Sequence, residues 1–572
     1  MSSRSYRELL SRLVVTLAWS ALVSVLLEAG TLVGAPVSSP FVSSDWRPAR
    51  MLVFFVLALP LVYWVRKRLS QCWESSSGGP GIVVSLGEGM RPSAIPAFLR
   101  RSPELAFFAM SLCSGVLCAF LLPAYASSSW DGFTHFNTAN AMSYVVDAQY
   151  SGADALMATS NAYVWSQAIE GQNVFPTKND AAAKAVVYET LEQAEKSTPI
   201  VSCEGTEVLG GGSWIAAAHV GNIPNAAGLW LGRLLHLGFA GRYVMGRIAG
   251  VLFYSLTMLL AMRRLKGGRL ALGTFSLFPT LVILSASYTY DTWSVSLIAY
   301  AFAAFVGSCQ REGGGLSCRE ASGSLVPFIL GALVRAVYFP LLVSFLAIPT
   351  DSFSSRREAR RYRTLVVLSA VALLASFAIR FAVAPGGGDS QGSADVSQGD
   401  QIAFILASPI RYLGVVLATT GRMLTPQSLV VTEPLAFSAP YVTAPGTFQS
   451  MTINALFVGL AILVCVLDRT RDDLLLAHPY VKALYMLGLA CGWGLAVTGL
   501  YVSFTAVGAP LAEGLQVRYL LALVPPAGML LLDFAGVARR DFGVKLRWLA
   551  SVAVLGSCGL LAWSLVATFA GA

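Results

Sequence analysis

The sequence predicts an all-α polytopic membrane protein, and three observations lead to that fold class. Of its 572 residues, 55% are hydrophobic and only 12% are charged, whereas soluble domains carry about 25% charged residues. Many apolar runs are as long as the roughly 20 residues that a helix needs to cross the hydrocarbon of a bilayer. The basic residues are concentrated in short connections between these runs, as they are in the cytoplasmic loops of membrane proteins.

The apolar runs predict eleven spanning helices. Each run has about 17–23 residues and few charges, which suits a helix that rises about 1.5 Å per residue. The first run follows a basic start and has no clear cleavage site of small residues, so it predicts a retained helix rather than a signal peptide. The predicted spans are 13–35, 50–65, 104–125, 241–262, 270–287, 292–308, 364–384, 451–467, 480–502, 516–535 and 548–570.

Two further apolar segments do not fit a single crossing. Residues 324–350 have basic flanks on both sides and contain Arg335 and a proline, so they predict a hairpin of two short helices that enters the membrane and returns. Broken helices are tolerated at membrane depth where they line a cavity within the protein. Residues 402–424 carry Arg411 and Arg422 and predict an interfacial or re-entrant helix. The total becomes about 11–13 membrane helices.

The basic connections also set the predicted orientation. With the N-terminus inside, residues 126–240 form a large loop outside the cytoplasm, and from Asp131 to Glu207 this loop holds ten acidic residues and three lysines. A loop of that length with helix-like patches is usually functional. The net charge of +9 therefore reflects topology and not a nucleic-acid surface, and the nine cysteines show neither a disulfide framework nor zinc-ligand spacing.

This topology sorts the conspicuous polar residues onto one face, where we expect a single pocket that opens away from the cytoplasm. Some follow the outward end of the third span, and others lie in the short outer turn between the fifth and sixth spans. The rest lie at the tip of the hairpin and at the outward end of the span near 516. These residues are Asp131, His135, Asp291, Arg335, Glu513, Gln516, Arg518 and Tyr519.

Each of these residues also has a purely structural interpretation. Asp131 is a favoured type of residue for capping the helix that follows, His135 can be its surface neighbour, and Asp291 suits a tight turn. Charges at the ends of spanning helices are often simply solvated. Arg335 is harder to explain in this way, because an arginine within a membrane segment costs about 2.5–3.5 kcal/mol on insertion scales. It should have an anionic partner or a ligand.

Such a pocket suits the chemistry of a lipid-linked phosphosugar. Arginine makes planar, bidentate hydrogen bonds to phosphate, and we assign Arg518 and Arg335 to the donor phosphate. A carboxylate can take the proton of an attacking hydroxyl, and cations stabilise the departing phosphate; Asp131 is the expected base. The expected substrate-orienting residues are His135, Asp291, Gln516, Tyr519 and Glu513, and the expected sugar-stacking residues are Trp130, Trp165 and Trp214.

Five short motifs carry a resemblance to a known family. They are "WDGFTHF", "HVGNIPNAAGLWLGRLLHLGFAGRYVMGRIAG", "SYTYD", "VRAVYFPLL" and "LQVRYLLALVP", in this order. The chain resembles the bacterial membrane-protein family named domain of unknown function 2142, which is itself similar to glycosyltransferases of the GT-C fold. The resemblance covers residues 104–535, including the loop 126–240, as a GT-C-like core. Residues 1–103 then form an N-terminal two-helix addition with a cytoplasmic loop, and residues 536–572 a C-terminal membrane helix.

The chain departs from the family pattern at four positions. Gly132 stands where the family usually has a second acid, which argues against a two-carboxylate metal site, and we expect no cofactor and no obligatory metal. Arg335 replaces a frequent lysine, Ala336 a proline and Val517 a glycine. These departures leave the phosphate-binding arginines in place.

The resemblance implies an inverting glycosyltransferase in the bacterial plasma membrane. It would transfer a sugar from a polyprenyl-phosphate donor to a glycan or lipid-linked acceptor of the cell envelope, outside the cytoplasm. Two alternatives remain open: a transporter or flippase of a lipid-linked saccharide, and a ligase or polymerase that joins whole glycan chains. A flippase should keep its activity without Asp131, whereas an enzyme should lose it.

Overall fold

The computed structural model describes the chain from residue 102 onward, with gaps. The described residues are 102–122, 132–144, 149–154, 189–196, 201–202, 217–309, 315–383, 395–425, 428–429, 434–438, 447–468, 479–534 and 546–569. The predicted spans 13–35 and 50–65, the base candidate Asp131 and the three stacking tryptophans lie outside these residues.

The described residues form a helical bundle with a small two-stranded ladder in its large loop. The first half contains α1 (Pro103–Leu121), α2 (Gly132–Met142), the antiparallel strands β1 (Gln149–Tyr150) and β2 (Val201–Ser202), the 3₁₀ helix η1 (Ala217–Asn222), α3 (Ile223–Leu234), α4 (Phe239–Arg264), α5 (Arg269–Ser276), α6 (Pro279–Ser285) and α7 (Asp291–Cys309). The second half contains α8 (Cys318–Ser322), α9 (Leu325–Leu333), the 3₁₀ helix η2 (Ala336–Leu341), α10 (Leu342–Phe345), the 3₁₀ helix η3 (Thr350–Ser352), α11 (Arg356–Val383), α12 (Gln398–Ala407), α13 (Pro409–Met423), α14 (Phe448–Leu467), α15 (Pro479–Ser503), α16 (Arg518–Leu521), α17 (Val524–Phe534) and α18 (Leu546–Phe569).

The fold class is confirmed. Within the described part of the chain, six helices are long and apolar enough to cross a membrane: α1, α4, α7, α14, α15 and α18. The bent pair α12–α13 makes a seventh if it is counted as one span. We call the end of the bundle at which α1 ends and α4 begins the loop end, and the opposite end, where α4 finishes with two arginines, the basic end.

Two of the predicted spans are broken helices and not continuous ones. The run 270–287 divides into α5 and α6, and the run 516–535 divides into α16 and α17. Prolines explain both breaks: Pro279 is the first residue of α6, and α17 has prolines at its second and third positions. Proline fits the first turn of a helix but cannot continue one, because it has no N–H to donate.

The predicted hairpin at 324–350 enters the bundle and returns to the same end. Its two limbs are α9 and α10, joined through η2. The chain closes the hairpin at its base, where the N–H of Leu316 donates to the carbonyl of Ser352 at 3.0 Å and the N–H of Ser354 donates to the carbonyl of Leu316 at 3.0 Å. Arg335 lies at the break between α9 and η2.

The segment after α13 carries irregular backbone into the bundle, where side chains of neighbouring helices satisfy it. Helices α12 and α13 meet at an angle of 109°. Asn454 of α14 accepts a hydrogen bond from the N–H of Ala436 and donates one to the carbonyl of Leu429, both at 2.7 Å. Thr280 of α6 accepts one from the N–H of Ser438 at 2.7 Å. Irregular backbone inside a membrane protein requires such internal partners. The bent pair α12–α13 is a broken span or a re-entrant element by its geometry, so the interfacial or re-entrant helix expected at 402–424 stays a prediction.

Arg247 fixes the loop end of α1. Its side chain is 1% exposed and donates to the carbonyl of Leu122 at 2.6 Å and to that of Ala119 at 3.3 Å. The last carbonyls of a helix lack partners within the helix and carry partial negative charge, so a buried guanidinium stabilises them. The point at which the chain leaves the bundle for the large loop is therefore well defined.

The irregular segment after α13 supplies a stability prediction. Asn454→Ala should lower the free energy of unfolding by about 1–3 kcal/mol, because the backbone groups of Ala436 and Leu429 lose their hydrogen-bond partner. Melting of the purified protein in detergent measures the effect. Thr452→Ala is the matched control: the hydroxyl of Thr452 donates to the carbonyl of Phe448 in the same helix, and its loss should change melting little. Equal melting of the two variants would contradict the role of Asn454.

Candidate functional site

A buried ion pair joins the start of α7 to the tip of the hairpin. Arg335 Nη2 lies 2.8 Å from Asp291 Oδ1, and the two residues are 8% and 2% exposed. A buried charge is tolerated only when it is paired and hydrogen-bonded. The structure thus provides the anionic partner that the sequence required for Arg335, although the two residues are far apart in the chain.

A second arginine and two tyrosine rings complete what we call the ion-pair cluster: Asp291, Arg335, Arg518, Tyr290 and Tyr519. Arg518 Nη1 lies 3.9 Å from Asp291 Oδ2, which is within ion-pair range but too long for a hydrogen bond. The guanidinium carbon of Arg335 lies 4.4 Å from the ring centre of Tyr519 and 5.1 Å from that of Tyr290. These cation–π contacts shield the charge of Arg335 from the bilayer.

The ion-pair cluster keeps hydrogen-bonding capacity that its described neighbours do not use. Arg335 Nη1 and Asp291 Oδ2 are both buried, and neither makes a hydrogen bond to any described residue. A buried charged group without its hydrogen bonds is costly, and such cases in native proteins call for an explanation. A polar ligand that offers an acceptor to Arg335 and a donor to Asp291 would remove this cost.

His135 of α2 lies beside the ion-pair cluster. Its ring centre is 4.4 Å from that of Tyr290 in an edge-to-face arrangement, and the residue is 6% exposed. Tyr290 directly precedes Asp291, so the first turn of α2 packs next to the ion pair. Asp131 is the residue before α2 in the sequence, but it lies outside the described residues, and its role as a base stays a prediction.

The remaining two candidates are not drawn into the ion-pair cluster by any described contact. Glu513 has an exposed side chain, and its N–H donates to the hydroxyl of Thr505 at 2.9 Å. Gln516 contributes its carbonyl, which accepts from the N–H of Tyr519 at 3.1 Å. Both residues belong to the loop that leads into α16.

Sequence reasoning predicted Tyr519 but missed Tyr290, Tyr338 and η1. Tyr338 donates its hydroxyl to the carbonyl of Tyr519 at 2.9 Å. Gly221 of η1 lies so close to the segment before Asp291 that a Cβ added there would be 2.5 Å from Tyr290 Cβ and 3.2 Å from Val334 Cγ1. The sequence signal for this contact is the Gly-rich stretch that begins at His219. This stretch carries the family resemblance but does not by itself reveal its position next to Asp291.

Comparison with known proteins supports one family. Residues 220–527, more than half of the chain, match the family model described as a predicted membrane protein, DUF2142. The chain belongs to the DUF2142 family. No curated protein and no solved structure matches the chain. In this DUF2142 protein the matched range contains the whole ion-pair cluster and begins after Asp131 and His135.

A separate polar network ties the large loop of this DUF2142 protein to α3 and α4. Asp154 is its centre: the carboxylate accepts from the Tyr144 hydroxyl at 2.7 Å and lies 3.8 Å from Arg233 and 3.5 Å from Arg242. Arg242 also pairs with Glu195 in the helical residues 189–196. Burial raises the pKa of the Tyr144 hydroxyl above its ordinary value, and the carboxylate of Asp154 raises it further. These groups satisfy one another, so this network holds the described part of the loop against α3 and α4.

The ion pair makes a prediction that a double-mutant cycle can test. Asp291→Asn alone should lower the free energy of unfolding by about 3–5 kcal/mol, because it leaves the buried guanidinium without its counter-charge. Adding Arg335→Met should recover most of that loss, because an apolar side chain then replaces the unpaired charge. Melting in detergent measures all four corners of the cycle. Losses that simply add would contradict the pair.

Glu195 makes the docking of the loop dependent on pH. Burial alone would raise its pKa, but hydrogen bonds from Arg242 and Ser151 outweigh this and lower the pKa below the ordinary 4.5. The pKa of Glu195 is therefore lower in the docked loop than in the free loop, so its ionised carboxylate stabilises docking above pH 4.5. This stabilisation is lost as the pH falls below about 4.5. Hydrogen exchange of residues 189–196 should therefore be faster below about pH 4.5 than the intrinsic pH dependence of exchange alone would give.

The controls are two conservative amide variants. Glu195→Gln should remove the pH dependence of the local opening, because its amide does not titrate. Glu192→Gln should keep it, because the ion pair that Glu192 makes among the described residues is with the exposed Lys196 at 3.8 Å. If the wild-type protein shows the same protection above and below pH 4.5, the link between Glu195 and docking fails.

Proposed function

We propose that this protein is a membrane glycosyltransferase of GT-C type. It transfers a sugar from a polyprenyl-phosphate donor to a glycan or lipid-linked acceptor of the cell envelope, on the outer side of a bacterial plasma membrane, where the large loop 126–240 lies. The observation that carries the proposal is the buried, incompletely hydrogen-bonded Arg335, which is paired with Asp291 beside Arg518 at the loop end of the bundle.

Charge arithmetic supports a phosphodiester as the ligand of the ion-pair cluster. Its two guanidinium groups and one carboxylate leave one net positive charge, and the single negative charge of a sugar phosphodiester neutralises it. When the bond to the sugar breaks, a second negative charge develops on the departing phosphate. Fixed cations that face this charge in a site shielded from water favour the transition state over the bound donor.

An apolar groove next to the ion-pair cluster suits the lipid tail of the donor. The groove has a volume of about 360 Å³ and lies between the end of α13, the middle of α15 and the segment α16–α17. Leu520 and Leu523 line it, and they lie two and five residues after Arg518 in the chain. A polyprenyl phosphate could thus place its phosphate at Arg518 and Arg335 and its first isoprene units along Leu520 and Leu523, facing Leu489 and Trp493 of α15.

The reaction is a single displacement at the anomeric carbon. The oxygen of an acceptor hydroxyl forms a bond to that carbon while the bond from carbon to phosphate oxygen breaks, which inverts the configuration. Asp131 takes the proton of the hydroxyl, and polyprenyl phosphate leaves with the bonding electrons. His135 and Asp291 orient the sugar or acceptor, and neither a metal nor a cofactor takes part in this scheme.

A reconstituted assay tests the proposal. The purified protein in liposomes is given isolated cell-envelope glycan as acceptor and undecaprenyl phosphate carrying one of a panel of monosaccharides as donor, and mass spectrometry follows release of the bare lipid phosphate and mass gain of the acceptor. Asp131→Asn should lower transfer by about 10²–10⁴-fold, the usual contribution of a general base, while donor binding persists. Asp400→Asn, an exposed acid of α12, is the matched control and should leave transfer unchanged.

The same assay separates the alternatives. A flippase would move the lipid-linked sugar between leaflets without releasing the lipid phosphate, and Asp131→Asn would leave that movement intact; this result would overturn the proposal. A ligase or polymerase would release lipid only from donors that carry whole glycan chains. Mass spectrometry of the envelope glycan with and without the gene then identifies the sugar.

A further inference from the structure

Asn222 is a buried asparagine whose side-chain oxygen has no evident structural task. It occupies the N-cap position of α3, where an asparagine side chain normally accepts a hydrogen bond from the first turn, but it makes no such bond. The residue is 1% exposed, and its Oδ1 accepts no hydrogen bond from any described residue. His219 of the same 3₁₀ helix likewise has a buried Nδ1 without a hydrogen bond among those residues.

The neighbours of Asn222 place it against the chain segments that hold the ion pair. Gly221 is in contact with Tyr290 and Val334, which directly precede Asp291 and Arg335. On the other side, Asn225 donates to the carbonyl of Ser287 at 3.5 Å. Asn222 is therefore held between two contacts with the segment that leads into α7, beside the ion-pair cluster.

We propose that Asn222, assisted by His219, binds hydroxyl groups of the transferred sugar; this inference rests on the proposed function and assigns the sugar-recognition side of the same site. A phosphodiester offers only acceptors at physiological pH, so it cannot pair with an amide oxygen. A sugar hydroxyl both donates and accepts. The acceptors Asn222 Oδ1 and Asp291 Oδ2, together with the donor Arg335 Nη1, match a ligand whose hydroxyl groups lie next to its phosphate.

Asn222 and Asn225, three residues apart at the start of α3, are a matched pair of buried asparagines. Comparing their variants distinguishes a role in binding from a role in folding. Asn225 is 2% exposed and its amide is satisfied, since it donates to the carbonyls of Gly246 at 3.1 Å and Ser287. Asn225→Ala should therefore lower the melting temperature clearly. Asn222→Ala should leave it unchanged or raise it, because an unsatisfied buried oxygen is removed.

The decisive experiment measures binding to full-length protein in nanodiscs by thermophoresis. The probes are undecaprenyl phosphate alone and undecaprenyl phosphate carrying one of a panel of hexoses and pentoses. The wild-type protein should bind one sugar-lipid more tightly than the bare lipid. Asn222→Ala should lower the affinity for that sugar-lipid by about five- to tenfold, as expected for one lost hydrogen bond, with unchanged affinity for the bare lipid. Arg518→Gln should weaken both.

The possible failures are distinguishable. If Asn222→Ala weakens both lipids equally, or lowers the melting temperature as Asn225→Ala does, Asn222 is structural and the inference is overturned while the proposed function stands. A wild-type protein that binds the bare lipid and shows no preference for any sugar also overturns the inference. If the wild-type protein binds none of these lipids, the proposed function itself fails, and the inference with it.

Discussion

The rest of the site depends on one constraint, which is the burial of the Arg335 guanidinium in a bundle that crosses a membrane. A charge in that position requires a counter-charge, and Asp291 provides it at 2.8 Å. Because Asp291 begins α7, Arg335 lies at a helix break and Arg518 begins α16, three interruptions of regular helix meet at one place. Arg335 Nη1 is buried without a hydrogen bond to the described residues, and this is the basis of our proposal that the place also binds an anion.

The second constraint is that backbone interrupted at membrane depth must find its hydrogen bonds within the protein. The hairpin closes at its base through Leu316, and the segment after α13 relies on Asn454 and Thr280. These devices allow the bundle to hold a broken α16–α17 beside α15. The apolar groove lies at that break, where Leu520 and Leu523 line it.

Much of this architecture could be predicted from the sequence, since long apolar runs and basic connections report directly on the solvent around each helix. Sorting residues by face also anticipated the meeting of Asp291, Arg335 and Arg518. The breaks within 270–287 and 516–535 were missed because hydropathy is averaged over a long run of residues. Such an average does not register a proline that interrupts the hydrogen bonds of the helix. Asn222 and Tyr290 were missed because the role of an amide or an aromatic ring depends on its neighbours in the folded structure. Glu513 was included because topology predicts the side of the membrane on which a residue lies but not the direction of its side chain.

The central claim is that one pocket binds a lipid-borne sugar phosphate with its phosphate at the arginines and its tail along α16. A cryo-electron microscopy map of the protein in nanodiscs with a non-hydrolysable undecaprenyl phosphonate sugar tests it most directly. We expect phosphonate density within hydrogen-bond distance of Arg335 Nη1 and of the Arg518 guanidinium, with the lipid against Leu520 and Leu523. Phosphonate density at the basic end of the bundle, or a lipid bound with the Asp291–Arg335 pair untouched, would contradict it.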